Sequence, residues 1–239
     1  MSYEPERYWD ARLAGQCNLR GTGNLGHSER YNRWLYRRKA EALRDALGVD
    51  AVSGRVLDVG SGIGWVIRQL MSAGAQDITG IDIARSAIHR LRQEFPTCSF
   101  EQFAIGQGRL HADDDSFDLI TMVDVAYHIV EPDAFRSAIA EIGRLLAPSG
   151  RLVFTDELGP TDRSPAAHVR FRGLETWHGA LEGAGLQITR VGSLYAWLSR
   201  DRGTIWDRLP DGVQGPLEYL LEHIGWRKPH LRWAVARAG

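Results

Sequence analysis

Val56-Leu57-Asp58-Val59-Gly60-Ser61-Gly62-Ile63-Gly64 runs from a short apolar, β-branched segment into three glycines spaced by single residues. The first half reads as a buried strand, and a helical pattern takes over at Gly64. Glycines at 60, 62 and 64 allow a tight turn and let a ligand lie on bare backbone, because no Cβ stands in the way. A glycine-rich turn of this kind is a weak signal alone, so the flanking chain must decide what it serves.

Outward from this turn, short β-branched runs alternate with helical stretches. Strands are expected at Arg55 to Gly60, Asp77 to Asp82, Cys98 to Ala104, Phe117 to Val123, Gly150 to Glu157, Leu186 to Leu198 and Leu231 to Arg237. Helices are expected at Gly64 to Ala73, Arg85 to Phe95, Glu131 to Ala147 and Leu174 to Ala184, the third entered by Pro132 and left by Pro148-Ser149-Gly150. The pattern predicts a Rossmann-like, doubly wound α/β fold, with a mostly parallel seven-stranded sheet and helices on both faces. Residues 1–53 are expected to form an N-terminal helical extension or lid, including a helix from Ser28 to Leu47 with Ser28 as its N-cap. Residues 54–239 form the α/β domain. Its insertion at 199–230, before the last strand, is too long for an idle hairpin loop and is read as a lid.

Of the 239 residues, 44% are apolar and 25% charged, an ordinary globular mixture. No run approaches the roughly 20 apolar residues that span a bilayer, and MSYEPERYWDARL lacks the apolar stretch of a secretion signal. Cys17 and Cys98 offer neither a disulfide framework nor zinc-ligand spacing. A cytoplasmic protein without membrane partner or metal is therefore expected. The 29 basic residues balance 30 acidic ones, which argues against a protein whose main task is holding nucleic acid. Twenty-seven of the basic residues are Arg, read as codon bias. Seven of the eight tryptophans lie outside Arg55 to Glu157, which suggests an aromatic-rich acceptor module built from both ends of the chain.

Two details narrow the ligand. The nicotinamide fingerprint GxGxxG needs a small third residue at 65, where Trp65 stands. Asp58, two residues before the first glycine, puts a carboxylate beside a ligand that should carry positive charge, where a pyrophosphate would be repelled. Eighteen residues beyond Gly64, Asp82 sits at the tip of the second strand, where an acid accepts hydrogen bonds from ribose hydroxyls. A nucleoside with a cationic tail fits, and S-adenosylmethionine meets that description.

VLDVGSGIGW, GIDIA, SFDLITMVDVAYHI and LLAPSGRLVFTD, in this order and spacing, resemble the motifs of class I S-adenosylmethionine-dependent methyltransferases over about Arg55 to Glu157. The resemblance implies that Asp58 and the Gly60, Ser61, Gly62 and Gly64 loop hold the methionine part, Asp82 the ribose, and Ile83 one face of the adenine. Many relatives carry an acid after the third strand; Ala104-Ile105-Gly106-Gln107-Gly108 stands here instead, so Ile105 is expected on the adenine and Gln107 or a backbone group at its amino edge.

The segment after the fourth strand faces the methyl group in that family, and here it reads Asp124-Val125-Ala126-Tyr127-His128. It lacks the Asn/Asp-Pro-Pro-Tyr/Phe motif of nucleic-acid amino methyltransferases. His128 is the candidate general base, since an unperturbed pKa of about 6.5 suits that role. Asp124 is expected to bind the methionine amino group or to orient substrate; Tyr127, Tyr195 and Trp197 are expected to contact substrate. Arg30, Arg33 and Arg37 share a helix face that reads either as an anion-recognition stripe or as a solvated surface. The function expected is methyl transfer to a small-molecule acceptor, at an oxygen of a natural-product-like or metabolic compound. A methyltransferase acting on RNA or protein, a nicotinamide-dependent oxidoreductase, and a cofactor-binding protein without turnover are the alternatives.

Overall fold

The computed structural model describes residues 3–15, 18–23, 29–48, 52–195 and 231–239, with Val213 and Leu220 as isolated positions. Helices α1 (Pro5–Gly15), α2 (Leu19–Thr22) and α3 (Glu29–Leu47) precede strand β1 (Arg55–Val59). Then follow α4 (Trp65–Ser72), β2 (Asp77–Asp82), α5 (Arg85–Glu94), β3 (Ser99–Gln102), β4 (Phe117–Met122), a 3₁₀ turn (Ala126–His128), α6 (Pro132–Leu145) and β5 (Leu146–Asp156). The chain continues with β6 (Arg163–Ala166), β7 (Val169–Phe171), α7 (Leu174–Gly183), β8 (Leu186–Tyr195) and β9 (Leu231–Ala238).

Seven strands form one sheet in the order β3-β2-β1-β4-β5-β9-β8. β1, β2, β3, β4 and β5 pair in parallel, and β9 runs antiparallel between β5 and β8. The central strands are buried on both faces, so they read as continuous apolar runs. Successive residues of β1 serve opposite cores: Val56 packs with Ile67, Leu70 and the N-terminal helix residues Leu35 and Leu43, whereas Leu57 packs with Ile139 and Ile142 of α6. The expected doubly wound fold is the observed one, and the N-terminal extension is part of its core on one face.

Boundaries shift where local signals compete. β5 starts at Leu146 rather than Gly150, and β3 is confined to four residues. Two features escaped the sequence. α1 is mostly polar and buries only Leu13 among its residues, so its periodicity is faint. The β6–β7 ribbon contains Pro165 and exposes most of β6, and neither is a strand signal. The insertion 199–230 (apart from Val213 and Leu220), Ser28 and Trp197 lie outside the described residues.

β1 and β4 are neighbours from which the chain winds in opposite directions, to β2 and to β5. This is the switch point beyond whose strand ends α/β folds bind ligands. α1 lies across that end through Asp10, which accepts a hydrogen bond from the Ser86 amide at 2.8 Å, and through Trp9, whose ring meets His128 edge-on at 4.7 Å.

Candidate active site

A cleft of about 820 Å³, counted to its open mouth, lies at the ends of β1, β2 and β4. Its floor is the glycine turn. Gly60, Gly62 and Gly64 take φ values of 74°, 53° and 74°, the left-handed region that side chains avoid. A Cβ on Gly60 would lie 2.3 Å from Val125 Cγ2, so the close approach of the β4 loop depends on this glycine. The Gly60 and Ser61 amides both donate to the Ile81 carbonyl, at 2.7 and 3.0 Å, which ties the turn to β2.

Asp82 is buried at the tip of β2 and accepts from the Gly62 amide (2.7 Å, Oδ2) and the Ala84 amide (2.8 Å, Oδ1). Burial pushes its pKa up to about 6 against the pull of these two bonds. Two of a carboxylate's roughly four acceptor positions are used, which leaves capacity for two more donors from the cleft. Asp58 is fully buried, with Oδ1 accepting from Thr121 Oγ1 at 2.7 Å. Its Oδ2 has no hydrogen-bond partner among the described residues, and burial pushes its pKa up to about 7. Asp58 stands behind the cleft wall rather than in it. Ile83, Phe103 and Ile105 line an apolar side.

The opposite side comes from the β4 loop and the N-terminal helices. Asp124 takes a positive φ of 60° and pairs with Lys39 of α3. Burial opposes both charges, yet the mutual attraction prevails: the Lys39 pKa is raised, the Asp124 pKa lowered, and both stay ionised. Lys39 Nζ also lies 4.5 Å from the Tyr36 ring centroid, and Tyr36 OH meets Thr22 Oγ1 at 2.7 Å. His128 lines the cleft, with Nδ1 2.7 Å from the His168 carbonyl. A carbonyl can only accept, so Nδ1 carries the proton and Nε2 keeps its lone pair. Burial pushes the His128 pKa down to about 4. The unperturbed value near 6.5 expected from sequence is thereby corrected: the enclosed imidazole is neutral well below neutrality, and it is a weaker base than a free one.

A methyltransferase-domain family profile matches residues 31–201, more than half of the chain. The chain belongs to the class I S-adenosylmethionine-dependent methyltransferase family. The ubiquinone biosynthesis O-methyltransferase of Xanthomonas oryzae pv. oryzae is 33% identical over 128 residues, covering 50% of this chain and 48% of the relative. The tRNA N(3)-methylcytidine methyltransferase trm140 of Schizosaccharomyces pombe is 29% identical over 161 residues, 64% of this chain and 49% of the relative. This methyltransferase thus spans about half the length of the curated relatives it matches. The solved N-methyltransferase NodS from Bradyrhizobium japonicum WM9, in complex with S-adenosyl-L-homocysteine, shares the fold with a TM-score of 0.64 and 20% identity over 98% of this chain and 97% of that one. The cofactor of the family is S-adenosylmethionine, and the site fits it: bare backbone at Gly60 and Gly62, spare acceptor positions on Asp82, and an apolar wall for a purine.

The methyltransferase brings Gly60, Ser61, Gly62, Asp82, Ile83, Ile105, Asp124 and His128 to one cleft. Gly64 caps α4 just outside it. Asp124, expected to bind the methionine amino group or to orient substrate, is already paired with Lys39. Tyr127 packs its ring on Phe171 at 5.1 Å and is absent from the cleft wall, and the Tyr195 side chain lies outside what the structure describes. Of the seven tryptophans outside Arg55 to Glu157, Trp177 and Trp233 are core residues, Trp177 stacked 4.0 Å from Phe154, and Trp9 lines the cleft; the Trp34 side chain and Trp197, Trp206 and Trp226 lie outside the described residues. Among the described residues no group of His, Cys, Asp or Glu is placed to hold a metal, and no helix is long and apolar enough to cross a membrane. Sequence reasoning assigned no site role to Lys39, Phe103 or His168. Lys39 carried a signal: in a chain that uses Arg for 27 of 29 basic positions, it is one of two lysines.

Proposed function

We propose that this methyltransferase acts on a small-molecule acceptor, transferring the methyl group to a hydroxyl oxygen whose proton passes to His128. The observation that carries the reading is the cleft itself, in which the cofactor cradle and His128 share one cavity roofed by Trp9, Tyr36 and Leu13 of the N-terminal helices. A roofed, largely apolar cavity suits a compact acceptor, whereas a nucleic acid needs an open basic face. The bound cofactor supplies an already activated methyl group. The protein supplies position and a proton acceptor. Asp82 and the Gly60–Gly62 backbone would hold the ribose and methionine parts, Ile83 and Ile105 the adenine. His128 Nε2, kept unprotonated by the Nδ1 bond to His168, would orient the hydroxyl and take its proton as the bond to carbon forms. The low basicity of this imidazole favours acidic, phenol-like hydroxyls, and the ubiquinone relative acts, by name, as an O-methyltransferase.

The test is a radiolabelled S-adenosylmethionine assay over catechols, phenols, small amines and total tRNA. Incorporation into hydroxylated aromatics, falling about 10²–10⁴-fold in His128→Gln with unchanged S-adenosylhomocysteine affinity, is expected. Labelling of tRNA alone, or wild-type turnover in the variant, defeats the reading.

A further inference from the structure

Arg172 is the least economical residue of the fold. It follows β7 with only 1% of its surface exposed, and its guanidinium spends its donors on carbonyl oxygens rather than on a carboxylate. Nη1 donates to the Ala126 carbonyl at 2.9 Å and to Arg170 O at 3.3 Å, and Nη2 donates to the Ile129 carbonyl. The guanidinium centre lies 3.7 Å from the Phe135 ring centroid. Burying a charge in this way is costly, and an apolar side chain of similar size would fill the volume more cheaply. What the guanidinium adds is a rigid planar fork that fixes two carbonyls relative to each other.

Those carbonyls bracket Tyr127 and His128. Ala126 opens the 3₁₀ turn and Ile129 closes it, so the fork grips the turn at both ends. The same ribbon delivers two more contacts to it: the His168 carbonyl on His128 Nδ1, and Phe171 against Tyr127. Arg172 is anchored from behind, since its amide donates to Asp156 Oδ1 at 3.3 Å, while Trp177 Nε1 donates to Asp156 Oδ2 at 2.9 Å. We propose that Arg172 is the positioning residue of the acceptor loop: through the Ala126 and Ile129 carbonyls it sets the His128 ring in the cleft, and the β6–β7 ribbon exists to deliver it. The role of His128 as proton acceptor comes from the functional reading above, and the clamp itself stands on the turn geometry alone.

Burial, the largest influence on His128, makes its titration a gauge of the loop. Around it, the His168 carbonyl bonded to Nδ1 and Asp124 favour its protonation, whereas the His168 ring and Arg12 oppose it; Tyr3 OH approaches its carbonyl at 3.5 Å. In the wild-type protein, the Arg172 guanidinium should give separate, slowly exchanging Nη proton signals in ¹⁵N-resolved spectra, and a single averaged signal overturns the clamp without any variant. Arg172→Lys keeps a charge but cannot span two carbonyls, and Arg172→Met removes the charge. In whichever of the two remains folded, ¹³C-histidine titration should move His128 upward by one unit or more from about 4, toward the ordinary 6.5, while S-adenosylhomocysteine affinity changes less than threefold. An unmoved His128 titration in a folded variant overturns the proposal. Neither measurement needs an acceptor, so a failed clamp and a failed general base are told apart: wild-type turnover in His128→Gln leaves the clamp intact, and a mobile guanidinium leaves the base intact.

Discussion

As the proposed ribose acceptor, Asp82 must be ionised to accept two hydroxyls while burial resists its ionisation. The free protein is half protonated there near pH 6, so cofactor binding releases a proton below that pH. S-adenosylhomocysteine affinity is therefore expected to climb from pH 5 to pH 7 and level off above, which calorimetry in buffers of different ionisation enthalpy reads directly. A flat affinity over that range excludes Asp82 as the ribose acceptor. Asp82→Ala should cost about 1.5–3 kcal/mol per lost bond to the charged group at pH 7.5 and abolish the pH dependence. His128 gives a contrasting signature. With its pKa pushed down to about 4, kcat should hold well below pH 6, while kcat/KM, which reports the free enzyme, should fall along an acid limb near 6 set by Asp82.

At the level of elements, what was legible was what short stretches of chain decide. The β1 turn, its three positive-φ glycines and the acid ending β2 are all contained in Val56 to Asp82, and their roles follow from local geometry. Lys39 and Asp124 are 85 residues apart, and no pattern in either segment announces the other. The β6–β7 ribbon was invisible for the same reason, because its strands are held by what they grip rather than by alternation of their own. The Lys39–Asp124 pair is expected to fasten α3 to the β4 loop. Lys39→Met strands the Asp124 carboxylate and should destabilise the fold by about 3–5 kcal/mol in urea unfolding. Adding Asp124→Asn removes the stranded charge while keeping a residue that tolerates positive φ, so the double variant should recover most of the loss. If both variants are equally unstable, the pair is not what fastens α3.

The whole molecule carries several buried groups whose titrations oppose one another. Asp58 and Asp156 sit at about 7 and Asp82 at about 6, against 3.8 for an ordinary aspartate. In each case burial is the leading cause. The native state therefore binds more protons than the unfolded chain between pH 4 and 7, and stability falls as pH rises through that window. His128 works the other way: held at about 4 against 6.5, it makes the native state lose stability as pH falls over much the same range. Three carboxylates outweigh one imidazole, by on the order of a few kcal/mol. Below pH 4 the direction reverses, as Asp124, Asp162 and Glu141, whose carboxyls are held low, begin to protonate. The melting temperature of the cofactor-free protein is thus expected to rise from pH 7.5 to about pH 5 and to drop below pH 4, with a flatter rise in Asp58→Asn. S-adenosylhomocysteine should reverse part of that trend, because it selects ionised Asp82, so the stabilisation it confers grows with pH. Calorimetric scans with and without ligand separate the two effects. A melting temperature that falls steadily from pH 7.5 to 5 in the free protein means that these carboxylates are ionised at neutral pH, and that the cofactor cleft is wetter than its geometry implies.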